Sequence, residues 1–207
     1  MTIYCATSNP GKLKEFQLAA SNFAGPSWDV QLLPRSVPPP EEYGSTFEQN
    51  AAIKALYYGA LTDGYLFADD SGLEVDALAG APGVHSARYA GPEAEDADNN
   101  ALLQERLSGA TDRTARFVCV IALVNSGQLV RTFRGSVEGR ILDSPRGSGG
   151  FGYDPLFYYE PFGCTFGEAA IADKMRVSHR AQALEAMFTF LRGNAASAGS
   201  QSSSSHR

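Results

Sequence analysis

The sequence predicts an α/β protein whose sheet mixes parallel and antiparallel strands. Helix-patterned segments alternate with short β-prone runs from the N-terminus onward, the sign of crossovers between parallel strands. Mid-chain, "RFVCVIALV" and "QLVRTFRGSVEGRIL" flank Asn125-Ser126-Gly127, a hairpin signal and so an antiparallel pair. The 207 residues suffice for one sizeable core or two small lobes, and no internal repeat is visible.

Residues 2–6, "TIYCA", are short, apolar and β-prone and read as a first strand; "TSNPGK" then turns the chain. A helix begins at Gly11-Lys12 and carries Leu13, Phe16 and Ala20 on one side. Residues 29–33 read as a second strand. Residues 34–44, "PRSVPPPEEYG", hold four prolines and form an extended loop. Thr46 with Gln49 three residues on is a capping-box pattern. It opens a helix with Phe47, Ile53, Leu56, Tyr57, Ala60 and Leu61 as its apolar side, ended by Gly64. Residues 65–68 read as a buried strand that Asp69, Asp70, Ser71 and Gly72 stop. Residues 78–94 are mostly loop, and 98–108 form a short helix with Leu102, Leu103 and Leu107 inward. After the hairpin comes a glycine-dense loop over 145–155, a last strand "LFYY", and a final helix from about Ser178 to Leu191. The folded unit is thus expected over 1–192, with 193–207 a disordered Ser-rich tail.

Hydrophobic residues at 43% and charged residues at 19% are ordinary for a soluble globular chain. A net charge of −6 argues against a nucleic-acid binder that works through a broad basic surface, but leaves room for a nucleotide-sized ligand. Cys5, Cys119 and Cys164 are odd in number and widely spaced, so they read as core residues in a reducing compartment. With histidines only at 85, 179 and 206, a bound metal is expected to be hard and oxygen-ligated, such as Mg²⁺. The N-terminus lacks a signal-peptide pattern and no run reaches membrane-span length, which places the protein in the cytoplasm.

Four clusters carry chemistry. In "ATSNPGKLKEF" a strand runs through a polar turn into a helix whose free N–H groups and Lys12 suit a polyphosphate. The stretch is not a Walker A loop, since Leu13 stands where Ser or Thr is required, and alone it also suits a plain β-turn-α connection. The acidic set Glu41, Glu42, Asp69 and Asp70 offers Mg²⁺ hard oxygens from separate loops. Strand alternation sends Asp69 and Asp70 to opposite faces, and periodicity does not choose between them. In "GSGGFGYDP", glycines allow close backbone approach, Phe151 and Tyr153 offer stacking faces, and Asp154 offers an acceptor for a base N–H. Lys174, His179 and Arg180 gather at the expected start of the last helix, where basic residues oppose the dipole and call for an acceptor-rich ligand. His85 and Arg88 read as loop residues, Arg88 as a surface salt-bridge partner.

The motifs "ATSNPGK", "TFEQNA", "FADDSGLEVDALAGAPGVHSARYAG", "GGFGYDPLF" and "SHRAQAL" resemble, in order and over residues 2–191, those of the Ham1/RdgB family of inosine triphosphate pyrophosphatases. The resemblance implies an elongated mixed-sheet fold of two lobes around a central cleft, usually a homodimer, dependent on Mg²⁺. It implies hydrolysis of the α–β link of ITP, dITP and XTP to monophosphate and pyrophosphate, which cleanses the nucleotide pool. Position by position, Thr7, Ser8, Asn9, Pro10, Gly11 and Lys12 match the phosphate-binding turn. Asp70 matches the proton acceptor and metal ligand, Glu42 the other metal carboxylate, and Ser71 a substrate contact. Phe151, Gly152, Tyr153 and Asp154 match the base-binding loop, and Lys174, His179 and Arg180 further substrate contacts. Tyr43, where threonine is frequent, and "ADKMRV" depart from the family pattern. Rival readings are a phosphate-releasing hydrolase and a non-catalytic nucleotide-binding module.

Overall fold

The fold comes from a computed structural model that describes residues 1–24, 28–33 and 37–201, with side chains through residue 194. In chain order the elements are β1 (Thr2–Cys5), α1 (Pro10–Phe23), β2 (Asp29–Leu32), α2 (Phe47–Gly59), β3 (Tyr65–Val75), α3 (Asp96–Arg106), β4 (Thr114–Asn125), β5 (Gln128–Ile141), β6 (Phe157–Tyr159), β7 (Cys164–Thr165), α4 (Ile171–Val177) and α5 (His179–Gln201). The strands form a single sheet in the order β2-β1-β3-β4-β5-β6-β7. β1 runs parallel to β2 and β3, and every later pairing is antiparallel. The mixed α/β sheet is therefore as the sequence predicts.

β4 is the spine, buried on both faces from Phe117 to Val124. On one face Phe67, Cys119 and Ile121 pack beneath α1 and α5, with Phe16 edge-on to Phe67 at 5.4 Å between ring centroids. On the other, Leu66, Ala68, Val118 and Val120 pack beneath α2. A third cluster fills the far end of the sheet, where Leu103 and Leu107 meet Leu73, Phe117, Phe157 and Phe166. Full burial of one such Leu or Phe contributes about 1.5–3 kcal/mol.

Several sequence expectations change. β3 does not stop at Asp69: it runs through both aspartates to Val75, paired residue for residue with β4. The carboxylates do not end it because each meets a lysine, as described below. α2 is capped as expected, with Thr46 Oγ1 accepting the Gln49 N–H at 3.2 Å, although Gln49 reaches back to the Ser45 N–H (2.8 Å) and not to that of Thr46. Its buried face is Phe47, Asn50, Ala51, Ala55 and Gly59, while Leu56 and Tyr57 are exposed. Small residues let the helix lie close to the sheet: a Cβ at Gly59 would stand 2.6 Å from Val124 Cγ2. The region expected as loop over 78–94 is preceded by one short 3₁₀ turn, Asp76–Leu78, and contains another, Gly83–Arg88. β7 and α4 were not expected. Extended backbone at Ser178 (φ −65°, ψ 154°) separates α4 from α5, so Lys174 lies on its own short helix and not at the start of the last one. α5 continues past Leu191 to Gln201, with no proline to end it. Of the expected proline loop, residues 34–36 lie outside the described residues, as do 202–207 of the expected tail.

The start of α5 is pressed against β5 at Gly135, where a Cβ would run into the His179 carbonyl and stand 2.7 Å from the Ala183 nitrogen. Gly135→Ala is expected to destabilise the protein by about 2–3 kcal/mol in urea unfolding. A change below about 0.5 kcal/mol would show that the helix start shifts freely.

Candidate active site

β1 ends at Cys5 and the Ala6 N–H closes its pairing on the Phe67 carbonyl at 2.9 Å, while β3 runs on for eight more residues, 68–75. The cleft opens along that uncovered flank of β3, enclosing about 800 Å³ with open solvent included. Around it stand the start of α1, the middle of α2, the Gly83–Arg88 turn, the 151–154 turn and the start of α5.

α1 begins where the sequence dictates. Asn9 caps it by accepting the Lys12 N–H at 3.0 Å, and Pro10 takes the first position, where its missing N–H costs nothing. Lys12 then reaches Asp69 Oδ2 at 2.9 Å, and the Ser71 hydroxyl donates to the same oxygen. Burial alone would raise the Asp69 carboxyl, but Lys12, followed by Lys54 and Arg180, outweighs it and holds the group well below the usual carboxylate range.

Asp70 points to the opposite face. Its Oδ1 accepts from Lys54 Nζ at 2.9 Å, and its Oδ2 from Asn50 Nδ2 at 3.3 Å. Lys54 also stands 3.3 Å from Glu42 Oε2, so both predicted metal carboxylates converge on one cation. Asn50, fully buried, accepts the Gly44 N–H at 2.8 Å and so ties the loop that carries Glu42 to Asp70. Burial raises the Asp70 pKa above that of an ordinary aspartate, with Lys54 opposing it only in part. For Lys54, burial lowers the pKa but Asp70, Asp69 and Glu42 together raise it above its usual value.

At the other end lies a buried chain of charges. Asp154 accepts from Lys174 at 2.5 Å, Lys174 donates to Glu15 at 2.7 Å, and Glu15 accepts from Arg180 Nη1 at 2.8 Å. Burial would raise Glu15, but Arg180 and Lys174 lower it overall, whereas Asp154 stays raised by burial despite Lys174. The Phe151 ring roofs this chain, its centroid 5.0 Å from Arg180 Cζ and 5.4 Å from Lys174 Nζ. It also lies against α1: a Cβ at Gly11 would stand 2.7 Å from Phe151 Cδ1. His179 stacks flat on Phe117, with centroids 4.9 Å apart and planes at 12°. Among the described residues, His179 Nδ1 and Arg180 Nε are buried without a hydrogen-bond partner.

Of the residues singled out in the sequence, Asn9, Lys12, Glu42, Asp70 and Ser71 line one end of the cleft, and Phe151 to Asp154, His179 and Arg180 the other. Thr7 and Ser8 border a separate hollow beside Tyr58, and Pro10, which is exposed, and Gly11 do not line the cleft. Lys174 does not line it either, 2% exposed and engaged by two carboxylates. Tyr153 borders the cleft, but its ring is buried in the distal core, so Phe151 is the aromatic face available. Asp154 is already engaged by the Phe151 N–H (3.0 Å) and Lys174. Lys54, Asn50 and Glu15 escaped the sequence reading. A lysine and an asparagine four apart in an apolar helix, and a glutamate on the buried side of α1, were the available signals. Arg88 borders the cleft and makes no ion pair among the described residues.

The Ham1 family model matches residues 3–190. The chain belongs to the Ham1 family. It is 49% identical over 184 residues to a dITP/XTP pyrophosphatase of an Exiguobacterium species, covering 89% of this chain and 93% of that one. It is 45% identical over 190 residues to the dITP/XTP pyrophosphatase of Thermus thermophilus, covering 90% of each. Among solved structures, the Staphylococcus aureus Ham1 protein superposes with a TM-score of 0.82 at 38% identity, covering 94% of this chain and all of that one. The Mycobacterium abscessus nucleoside-triphosphatase / dITP/XTP pyrophosphatase superposes with a TM-score of 0.70 at 40% identity, covering 92% and 100%.

Burial, then the nearby Arg180, Lys174 and Lys12, push His179 well below its usual 6.5, so the folded chain keeps it neutral. The unfolded chain takes up a proton that the folded chain refuses. Stability should therefore fall as pH drops below about 6.5, by up to about 1.4 kcal/mol per pH unit. Glu15 and Asp69, with lowered pKa values, add losses only in more acid solution. His179→Phe, which keeps a flat ring on Phe117, should flatten the slope between about pH 6.5 and 5 in chemical unfolding. An unchanged slope would assign the proton elsewhere.

Proposed function

We propose that this Ham1 family chain hydrolyses inosine, deoxyinosine and xanthosine triphosphates to the monophosphate and pyrophosphate. In this reading it acts as a homodimer in the cytoplasm and removes deaminated purines from the nucleotide pool. Among the described residues, no helix is long and apolar enough to cross a membrane. The observation that carries the reading is Asp70: a buried carboxylate at the cleft wall, held by Lys54 and Asn50, between a helix N-terminus suited to phosphates and a donor-rich end suited to a keto-purine. The relatives' activity, dITP/XTP pyrophosphatase, is what such a cleft accommodates.

Asp70 orients the attacking water and accepts its proton. Lys12 and the positive end of the α1 dipole take the leaving pyrophosphate. Lys54 is placed to exchange its carboxylate partners for phosphate oxygens. Glu42 and Asp70 fit a hard divalent cation, since they already converge on one positive charge and offer oxygen donors. Mg²⁺ keeps water and substrate phosphates as ligands, so one or two protein carboxylates suffice to hold it. When bound, Mg²⁺ would neutralise the phosphate charge and polarise the phosphorus.

Base choice follows from hydrogen-bond chemistry. Arg180 has only donors, which suits the 6-oxygen of hypoxanthine and xanthine and rejects the 6-amine of adenine. Guanine shares that oxygen and differs from xanthine at position 2, where an amine donor stands in place of an acceptor oxygen, so the 151–154 turn must tell them apart there by hydrogen-bond polarity and not by bulk; this is the weaker filter.

Asp70→Asn should lower kcat for inosine triphosphate by at least about a hundredfold with nucleotide binding largely kept. Product analysis of the wild type should find pyrophosphate; release of orthophosphate would overturn the assigned bond. Arg180→Met, which leaves Glu15 paired with Lys174, should reduce the preference for ITP over ATP by about a hundredfold. An unchanged preference would remove Arg180 from base selection.

A further inference from the structure

We propose that α3 is a specificity-positioning element, in which Asp96 and Asn100 hold both backbone groups of Gly152 and thereby set where Phe151 lies over Arg180. The proposal deepens the reading of the Arg180 end as the base site and rests on it. The Gly152 N–H donates to Asp96 Oδ2 at 2.6 Å, and the Gly152 carbonyl accepts from Asn100 Nδ2 at 3.0 Å. Residues four apart on a helix share a face, so one turn of α3 presents an acceptor and a donor side by side. Gly152 is left-handed (φ +61°), with open space where a Cβ would stand, so the backbone conformation and not crowding calls for glycine.

Asn100 Oδ1 is buried and has no hydrogen-bond partner among the described residues. Turning the amide over would set two oxygens against each other, so the Gly152 carbonyl dictates its direction even though an acceptor is left unsatisfied. Asn99 does the same service for the facing wall. Its Oδ1 accepts the Ala90 N–H at 2.9 Å and its Nδ2 donates to the Ala87 carbonyl at 3.3 Å, on either side of Arg88. The two walls are joined by the Tyr153 hydroxyl, which donates to the Ser86 carbonyl at 2.8 Å. The start of α3 is itself fixed, with the Glu95 N–H donating to Asp98 Oδ2 at 2.9 Å.

Asp70 keeps its own partners, Lys54 and Asn50, so releasing Gly152 loosens the aromatic roof, which rests on α1 at Gly11, without freeing the carboxylate at the reacting end. The turn that carries the roof is also where the substituent at position 2 of the base is read, donor against acceptor, whereas rejection of adenine depends on Arg180 itself. The two selectivities should therefore separate.

Steady-state kinetics of the full chain with ITP, GTP and ATP tests this. In Asp96→Ala and Asn100→Ala, KM for ITP should rise about fivefold and the ITP-over-GTP ratio of kcat/KM should fall about fivefold, the loss of one hydrogen bond. In the same variants kcat should stay within about twofold and the ITP-over-ATP ratio should hold. Asp96→Asn keeps an acceptor for the Gly152 N–H and should restore the wild-type ratio. Alanine variants with unchanged ITP-over-GTP ratios overturn the proposal, as does a fall in kcat and melting temperature with both ratios intact, which would mark α3 as scaffold only. A wild-type chain inert toward ITP would instead overturn the functional reading beneath it.

Discussion

Two neighbouring carboxylates inside the core strand govern this molecule. Adjacent residues on a strand face opposite ways, so Asp69 and Asp70 project from opposite faces of β3, and each meets a lysine from the helix on its own side. Breaking a buried pair of this kind by deleting one partner costs about 3–5 kcal/mol, because the remaining charge stays in a poor solvent. The pairs do little for net stability, since desolvation consumes most of their attraction. What they do is fix position. α1 and α2 are registered against the sheet by the charges that line the cleft, so the geometry of the fold and that of the site are the same constraint.

α1 carries that constraint from one end of the cleft to the other. Lys12 meets Asp69, and Glu15, one turn later, joins Lys174 and Arg180. One helical turn thus sets the spacing between the Asp69 and Arg180 ends of the cleft. The chain Asp154–Lys174–Glu15–Arg180 holds two negative and two positive groups, and that balance permits its burial. A buried network presents its outermost guanidinium in a fixed orientation, which a flexible surface arginine lacks.

The sequence disclosed what depends on local rules. The alternation of elements, the Asn125-Ser126-Gly127 hairpin, the Thr46 cap and the turn into α1 were all legible, because capping and turn chemistry act over a few residues. Residues from the motifs that carry the resemblance line the cleft. The sequence hid what depends on contacts across the chain. β3 was cut short because its carboxylates look like a strand end until Lys12 and Lys54 are seen beside them. The face of α2 was misjudged because it packs through Ala51, Ala55 and Gly59, which carry little hydrophobic signal. Lys174 was read as an open contact, since nothing local announces that Glu15, far away in sequence, will cover it. Tyr153 was read as a stacking face, whereas its hydroxyl finds the Ser86 carbonyl and draws its ring inward.

Gly11 stands in the first turn of α1, where glycine is a poor helix former by about 1 kcal/mol relative to alanine. The Phe151 ring occupies the volume that any larger residue would need. A mutational survey of the N-terminal turn would therefore be misleading at this one position: its phenotype would be that of the Phe151 end of the cleft, although Asn9 and Lys12 beside it line the Asp70 end. Sequence proximity and chemical role part company there, and homologues with bulk at that site should carry a compensating change at the aromatic.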